Sequence, residues 1–378
     1  MKRILMVWVG LVMLLILADG VRAQSVEMNS AKLYKKQGEY DKAIEWFEKA
    51  IAKKPENAEA HYLLGDLYGM KGRIADMVHE FNASLSYSKK YEKDISLLLQ
   101  RYFAEQFNNG VKAANEQNYP QALESFLNAR LINPTQPDSY RNLAFVYTRM
   151  DSTDAVIRVY HELLAIKPDD YQSYLMLASI YNQRQQYDEC IGALQKAAEL
   201  APDTARTRII GEIGITYDMM GKSDEAMKTY EDALKLSPGN KDLLFNMGRL
   251  YLLREDYANA IKKFDEVLLT NPDDFEVNYN VGLSHLKIGE RLDKKARDIE
   301  DEAMAKKKKP NTARIDSLRQ VANESFKAAM PYLLKAVELN PEQPNAWHNL
   351  GVGYIRTGQL EKANEAFAKS EALQAGKQ

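Results

Sequence analysis

The sequence predicts an all-α chain of stacked helical hairpins, and three observations carry that prediction. A small residue recurs as Ala31, Gly65, Gly110, Ala144, Ala178, Gly214, Gly248, Gly282 and Gly351, at successive gaps of 34, 45, 34, 34, 36, 34, 34 and 69 residues. Downstream of these sites a small residue precedes a large one by four positions: Ala43 and Phe47, Ala122 and Phe126, Cys190 and Leu194, Ala226 and Tyr230, Ala260 and Phe264, Ala329 and Leu333, Ala363 and Phe367. Pro55, Pro134, Pro168, Pro202, Pro238, Pro272 and Pro341 then follow, where a missing N–H and a fixed φ end one helix and open a turn. A period of 34 is the mark of a repeat array, each unit burying its apolar side against the next.

The elements follow in order. Lys2-Arg3, an apolar run from Ile4 to Ala18, and small residues up to Ala23 have the layout of a secretory signal, with cleavage expected after Ala23 and retention as an anchor the alternative. The run is shorter than the ~20 residues of a spanning helix, and no Cys follows it to suggest a lipid anchor. Repeats one and two occupy 24–91, and repeat three 92–136. There Ile95, Leu98, Leu99, Phe103, Phe107 and Val111 continue at helical spacing, so the extra residues read as a lengthened first helix. Repeats four to seven occupy 137–274, repeat eight 275–343, and repeat nine with a carboxyl-terminal cap 344–378.

Repeat eight carries an insertion at about 290–324. Leu292, Ala296, Ile299 and Ala303, then Ile315, Leu318, Ala322 and Ser325, recur at steps of three and four. Two narrow seams of this kind predict an antiparallel helical arm, with Lys306 to Lys309, Pro310 and Asn311 near its tip. A hidden tenth repeat fails because Lys294 and Asp298 stand where its small and large residues belong. A lysine run is ordinarily a solvated tip; the functional reading is a site for an acidic or phosphate-bearing partner.

Composition excludes more than it selects. Lys+Arg 51 against Asp+Glu 53 leaves no overall field to hold nucleic acid or an anionic membrane. His61, His79, His161, His285 and His348 are dispersed, and no phosphate loop or nucleophile elbow occurs. No metal, cofactor or catalytic residue is expected. The single cysteine, Cys190, sits at a small-residue site and is expected in the core.

The stretch AWHNLGVGYIRTGQLEKANEAF, residues 346 to 367, sets Trp347, Leu350-Gly351 and Tyr354 ahead of Ala363 and Phe367. In this order the chain resembles the tetratricopeptide repeat (TPR) family. The resemblance implies a superhelical solenoid of about nine hairpins whose first helices line a concave face. It also implies that the residue two before each Gly/Ala site points into that face. Here that residue is Asn29, Asn108, Asn142, Asn246, Asn280 and Asn349, similar to the asparagine ladder of peptide-binding TPR superhelices. An amide donates and accepts at once, which suits a peptide backbone. Arg141, Phe145, Arg149, Phe245, Arg249, Tyr279, Leu283, Val352 and Arg356 are the neighbouring groove candidates, and Met176 and Glu212 interrupt the ladder. Some TPR chains precede a catalytic domain, as in O-linked N-acetylglucosamine transferases; the ninth hairpin reaches nearly to residue 378, so none is expected after it.

The function expected is that of a non-catalytic scaffold or adaptor, exported to the periplasm or beyond, holding a peptide or protein segment in its groove. It would act as a monomer or within a hetero-complex, not as a membrane-spanning protein once processed. The alternative is a structural subunit of an envelope complex, working through its arm or convex surface.

Overall fold

The computed structural model describes residues 26–376. The signal-peptide expectation falls outside the described residues. Among those described, the regular structure is helical throughout. Helix α1 (26–37) pairs with α2 (Tyr40–Lys53), α3 (Ala58–Met70) with α4 (Ile74–Tyr87), α5 (Glu92–Asn115) with α6 (Tyr119–Ile132), and α7 (Pro137–Arg149) with α8 (Thr153–Ile166). Next come α9 (Tyr171–Gln183) with α10 (Tyr187–Leu200), α11 (Asp203–Met219) with α12 (Ser223–Leu236), and α13 (Lys241–Leu253) with α14 (Tyr257–Leu268). The last two hairpins are α15 (Phe275–Ala305) with α16 (Thr312–Leu339), and α17 (Pro344–Arg356) with α18 (Leu360–Ala375). The chain forms two compact units, the first ending at Ser173 and the second beginning at Tyr174, near the start of α9.

Within each unit one contact closes the hairpins. The large residue of the second helix lies on the small residue of the first: Phe81 on Gly65 and Phe126 on Gly110 in the first unit, Phe264 on Gly248 and Phe367 on Gly351 in the second. A methyl added at Gly248 would stand 2.6 Å from the Phe264 ring, inside van der Waals contact, and that ring is fully buried. The absent side chain is therefore what lets the two helices close on one ring. The sequence pattern paired small and large residues within the second helix; the ring's seat is on the first.

The turns between paired helices also repeat. Gly38, Gly72, Gly221 and Gly358 have φ between 71 and 80°, and at other hairpins Gln117, Asp151, Gln185 and Glu255 take φ of 53 to 59°. This left-handed residue ends the first helix as a C-cap. Side chains of Asn57, Asn118, Asn240, Asp256, Asp274 and Asn311 accept a backbone N–H at the start of the helix that follows.

Two hairpins depart from the common length. Helix α5 runs 24 residues, its Ile95 and Tyr102 buried against the first two repeats. Helices α15 and α16 run 31 and 28 residues and build the arm. Its seam buries Ala296, Ile315, Ala322 and Phe326. Phe326 repeats the hairpin contact one step further out, seated on Gly289, seven residues beyond Gly282, on which Leu333 sits. Cys190 is buried in the second unit, 3.9 Å from the Thr216 hydroxyl, and burial pushes its thiol pKa up; such a thiol is a packing residue.

Candidate protein-binding face

In the second unit α13 packs along α15, and α15 along α17. Each turns one stripe inward: Leu243, Leu244, Met247 and Leu250 from α13, Val277, Val281 and Leu286 from α15, Ala346 and Leu350 from α17. The opposite stripes carry the candidates. Asn246, Asn280, Leu283, Asn349 and Val352 are all half-buried on those stripes, as the 3.6-residue period requires.

The structure gives several candidates partners of their own. The Asn349 amide donates to the Tyr279 hydroxyl at 3.1 Å, joining α17 to α15. Tyr279 also stacks on Phe275, and burial raises its phenol pKa, an effect that the Asn349 contact partly offsets. Arg249 forms an ion pair with Asp218, joining α13 to α11. Arg356 reaches Asp293 at 3.2 Å and lies over the Phe326 ring, joining α17 to the arm. Phe245 packs its ring 5.8 Å from Phe264 and belongs to the core cluster around it. Asn349 with Tyr279, Arg249 and Arg356 thus fix the spacing of consecutive first helices, while Phe245 closes its own hairpin. Asn246 and Asn280 differ, because among the described residues no hydrogen bond occupies either side-chain amide.

The first unit holds the other four candidates, on α7. Arg141 donates to Asp138 and to the buried Asp170, the latter at 3.0 Å, and the Ser173 hydroxyl donates to the same carboxylate. The Asn142 amide is turned back onto the Asp138 carbonyl of its own helix at 2.8 Å. Arg149 lies 5.2 Å over the exposed Phe145 ring. Arg141 thus fastens a loop, while Phe145 and Arg149 offer an open aromatic and cationic pair.

Three further residues belong to the same stripes in the second unit. Ile215, Met219 and Leu253 are large, apolar and exposed. Ile215 holds in its repeat the place that Phe145, Leu283 and Val352 hold in theirs, and Met219 and Leu253 hold the place of Arg149 and Arg356. Their register in the 34-residue period is the sequence signal that marks them, since they carry neither charge nor amide. Ile215 and Met219 line a cavity of about 200 Å³ between α9 and α11, with Ser179, Asn182 and Glu212 among its polar lining.

A helical array whose first helices carry cross-links and exposed stripes is a repeat scaffold; among the described residues it holds no cluster of side chains placed to bind a metal ion. Family models for the tetratricopeptide repeat match residues 31–72, 170–239, 219–279 and 332–364. The chain belongs to the tetratricopeptide-repeat family.

Among curated proteins it is similar to the TPR repeat-containing protein MJ1428 of Methanocaldococcus jannaschii, 26% identical over 306 residues, 68% of this chain and 53% of that protein. The human protein O-mannosyl-transferase TMTC1 is 23% identical over 191 residues, 50% of this chain and 21% of that protein. The Drosophila melanogaster BBSome complex member BBS4 homolog is 23% identical over 225 residues, 58% and 45% respectively. The chain thus spans about half, or less, of the length of these relatives. Among solved structures, MamA from Desulfovibrio magneticus RS-1 is 18% identical with a TM-score of 0.41, over 55% of this chain and 96% of that one. YrrB, described as a TPR protein with an unusual peptide-binding site, is 19% identical with a TM-score of 0.41, over 57% and 92%.

Proposed function

We propose that this scaffold is an exported, non-catalytic adaptor that holds an extended peptide segment against the exposed stripes of its first helices. The observation that carries the reading is the pair Asn246 and Asn280, which stand at equivalent places in consecutive repeats, half-exposed and without an internal hydrogen bond among the described residues. An amide can donate to one peptide carbonyl and accept from one peptide N–H, so two in register suit a backbone irrespective of its sequence. Exposed apolar residues beside them, Ile215, Met219 and Leu253, supply side-chain contacts. Export rests on the basic start, apolar run and small residues of 1–23.

The test is a partner captured from the native envelope fraction and then titrated, purified, against parent and N246A/N280A/N349A. A hydrogen bond contributes about 0.5 to 1.5 kcal/mol, and Asn246 and Asn280 can each make two to a peptide. Asn349 is engaged by Tyr279, so through the loss of those two amides alone the triple variant binds on the order of a hundredfold more weakly. Its melting temperature stays close to that of the parent, with Asn349 responsible for what small loss there is. Equal affinity overturns the groove and moves binding to the arm or the convex side. Amino-terminal sequencing of the native protein should begin at Gln24; an intact Met1 in a membrane pellet overturns cleavage.

A further inference from the structure

We infer that the arm of repeat eight ends in a docking tip for an anionic membrane surface. This stands apart from the groove reading and does not depend on it. From Gly289 to Ala305 the helix α15 rises about 24 Å, and beyond its root the hydrogen bonds and ion pairs of residues 298–320, among the described residues, stay within the two arm helices. The root is braced. Arg356 and Arg297 share Asp293, Phe326 fills the seat on Gly289, and the Arg291 guanidinium lies over the Tyr257 ring. The arm is a held spar whose tip faces solvent.

The tip's composition is the second observation. Lys306, Lys307, Lys308, Lys309 and Arg314 fall within nine residues that contain no acid, in a chain whose net charge is −2. Lys306 pairs with Glu302; among the described residues the other four cations have no acidic partner. Met304, beside them in sequence, is 76% exposed, second only to Leu269 among the large exposed apolar side chains of the described residues. Four unpaired cations within ten residues of an exposed methionine offer charge for headgroups and an apolar end for the layer beneath.

Size decides between partners. A specific protein interface needs about 800 Å² on each side and a fixed shape to match, more than a turn of six residues joining two helix ends can present. A diffuse anionic surface needs neither. Met304 adds nothing toward a nucleic acid backbone and does add something toward lipid. The overall charge balance, which favours no membrane, is an average; the tip is local and lies on the order of two Debye lengths beyond the root. Asp298 and Asp301 lie just below it without ion-pair partners among the described residues, so the arm meets such a surface tip first.

Vesicle co-sedimentation tests the inference, using the chain beginning at Gln24, which keeps every described residue. The vesicles are neutral phosphatidylcholine, or phosphatidylcholine with about 30 mol% phosphatidylglycerol to give an anionic surface. Each lysine close to an anionic surface raises partitioning roughly fivefold. The parent should therefore prefer the anionic vesicles, and K307Q/K308Q/K309Q should lose roughly a hundredfold. Met304→Ser should lose a few fold, D298N/D301N should gain, and raised salt should erase the preference. Unchanged helical content by circular dichroism and unchanged amide exchange over residues 298–320 show that the lysine variant keeps its arm. Equal partitioning of parent and lysine variant overturns the inference, as does no preference for anionic over neutral vesicles. Tighter binding to a short DNA duplex or to polyglutamate than to the vesicles, at equal charge concentration, would make the tip a binder of soluble polyanions and overturn it too.

Discussion

In the hairpin α13–α14 one ring, Phe264, sits on Gly248, and both helices have neighbours from the repeats before and after. In α15–α16 the same kind of contact is made twice, Leu333 on Gly282 and Phe326 on Gly289, and then the two helices run on with only each other. The body hairpin is stabilised by the array; beyond the root, where Ala322 still joins the body cluster, the arm must hold itself with few buried residues, Ala296 and Ile315. Helix propensity and a narrow seam can keep a spar ordered, but they cannot give it the cooperativity of a stacked repeat. Stability should therefore fall off along α15 while its helical geometry does not change.

The largest effect is expected in the body. Phe264→Ala removes a fully buried ring from between two repeats and should cost about 3 to 5 kcal/mol in denaturant unfolding of the second unit. A loss below about 1 kcal/mol would mean that the ring on glycine is not what holds the hairpin. At the root of the arm Phe326→Ala removes an equally large ring, but one with fewer neighbours to leave unfilled; it should cost about 2 to 3 kcal/mol. A cost equal to that of Phe264→Ala would erase the distinction between body and root.

Tyr230 sharpens the body side of the comparison. Its ring takes the place of Phe264 in the preceding repeat, is fully buried, and among the described residues its hydroxyl has no hydrogen-bond partner. Burial pushes the phenol up to about 12. Above the ordinary tyrosine pKa near 10 the unfolded chain releases this proton and the folded chain keeps it, so stability is lost as pH rises from about 10 toward 12. Tyr230→Phe should be neutral or stabilising by about 1 kcal/mol near pH 7, and should retain roughly 2 kcal/mol that the parent loses at the alkaline end. Parallel pH profiles for the two proteins would contradict the buried, unpaired hydroxyl. Smallest of all, Ile315→Ala on the arm seam should move the global melt by well under 1 kcal/mol, because the arm opens without the body.

The repeats were legible because the 34-residue period is printed in residue size: Gly or Ala where helices close, a ring or leucine opposite, proline at the exit. The arm was legible from its three and four steps. Gly289 and Phe326 were missed as a pair because the seam was read from Leu292 onward, although each lies seven residues from its counterpart, Gly282 and Leu333. The candidate face was less legible. Which stripe of each first helix is exposed follows from the helical period, but the partners of Arg249, Arg356 and Asn349 lie 31, 63 and 70 residues away, and only the stacking of first helices brings them into reach. Sequence gives residue type and phase; competition among side chains for the same hydrogen bond is settled by packing.

Native-state hydrogen exchange on the chain beginning at Gln24 tests the distinction between array and spar most directly. Amides of α13, α14 and α17 should exchange only through unfolding of the second unit, with protection that falls as denaturant is added. Amides of residues 298–320 should exchange through a local opening, faster and almost independent of low denaturant. If those arm amides share the protection and the denaturant dependence of α13 and α14, the arm is part of the core and the contrast drawn between the two hairpins is wrong.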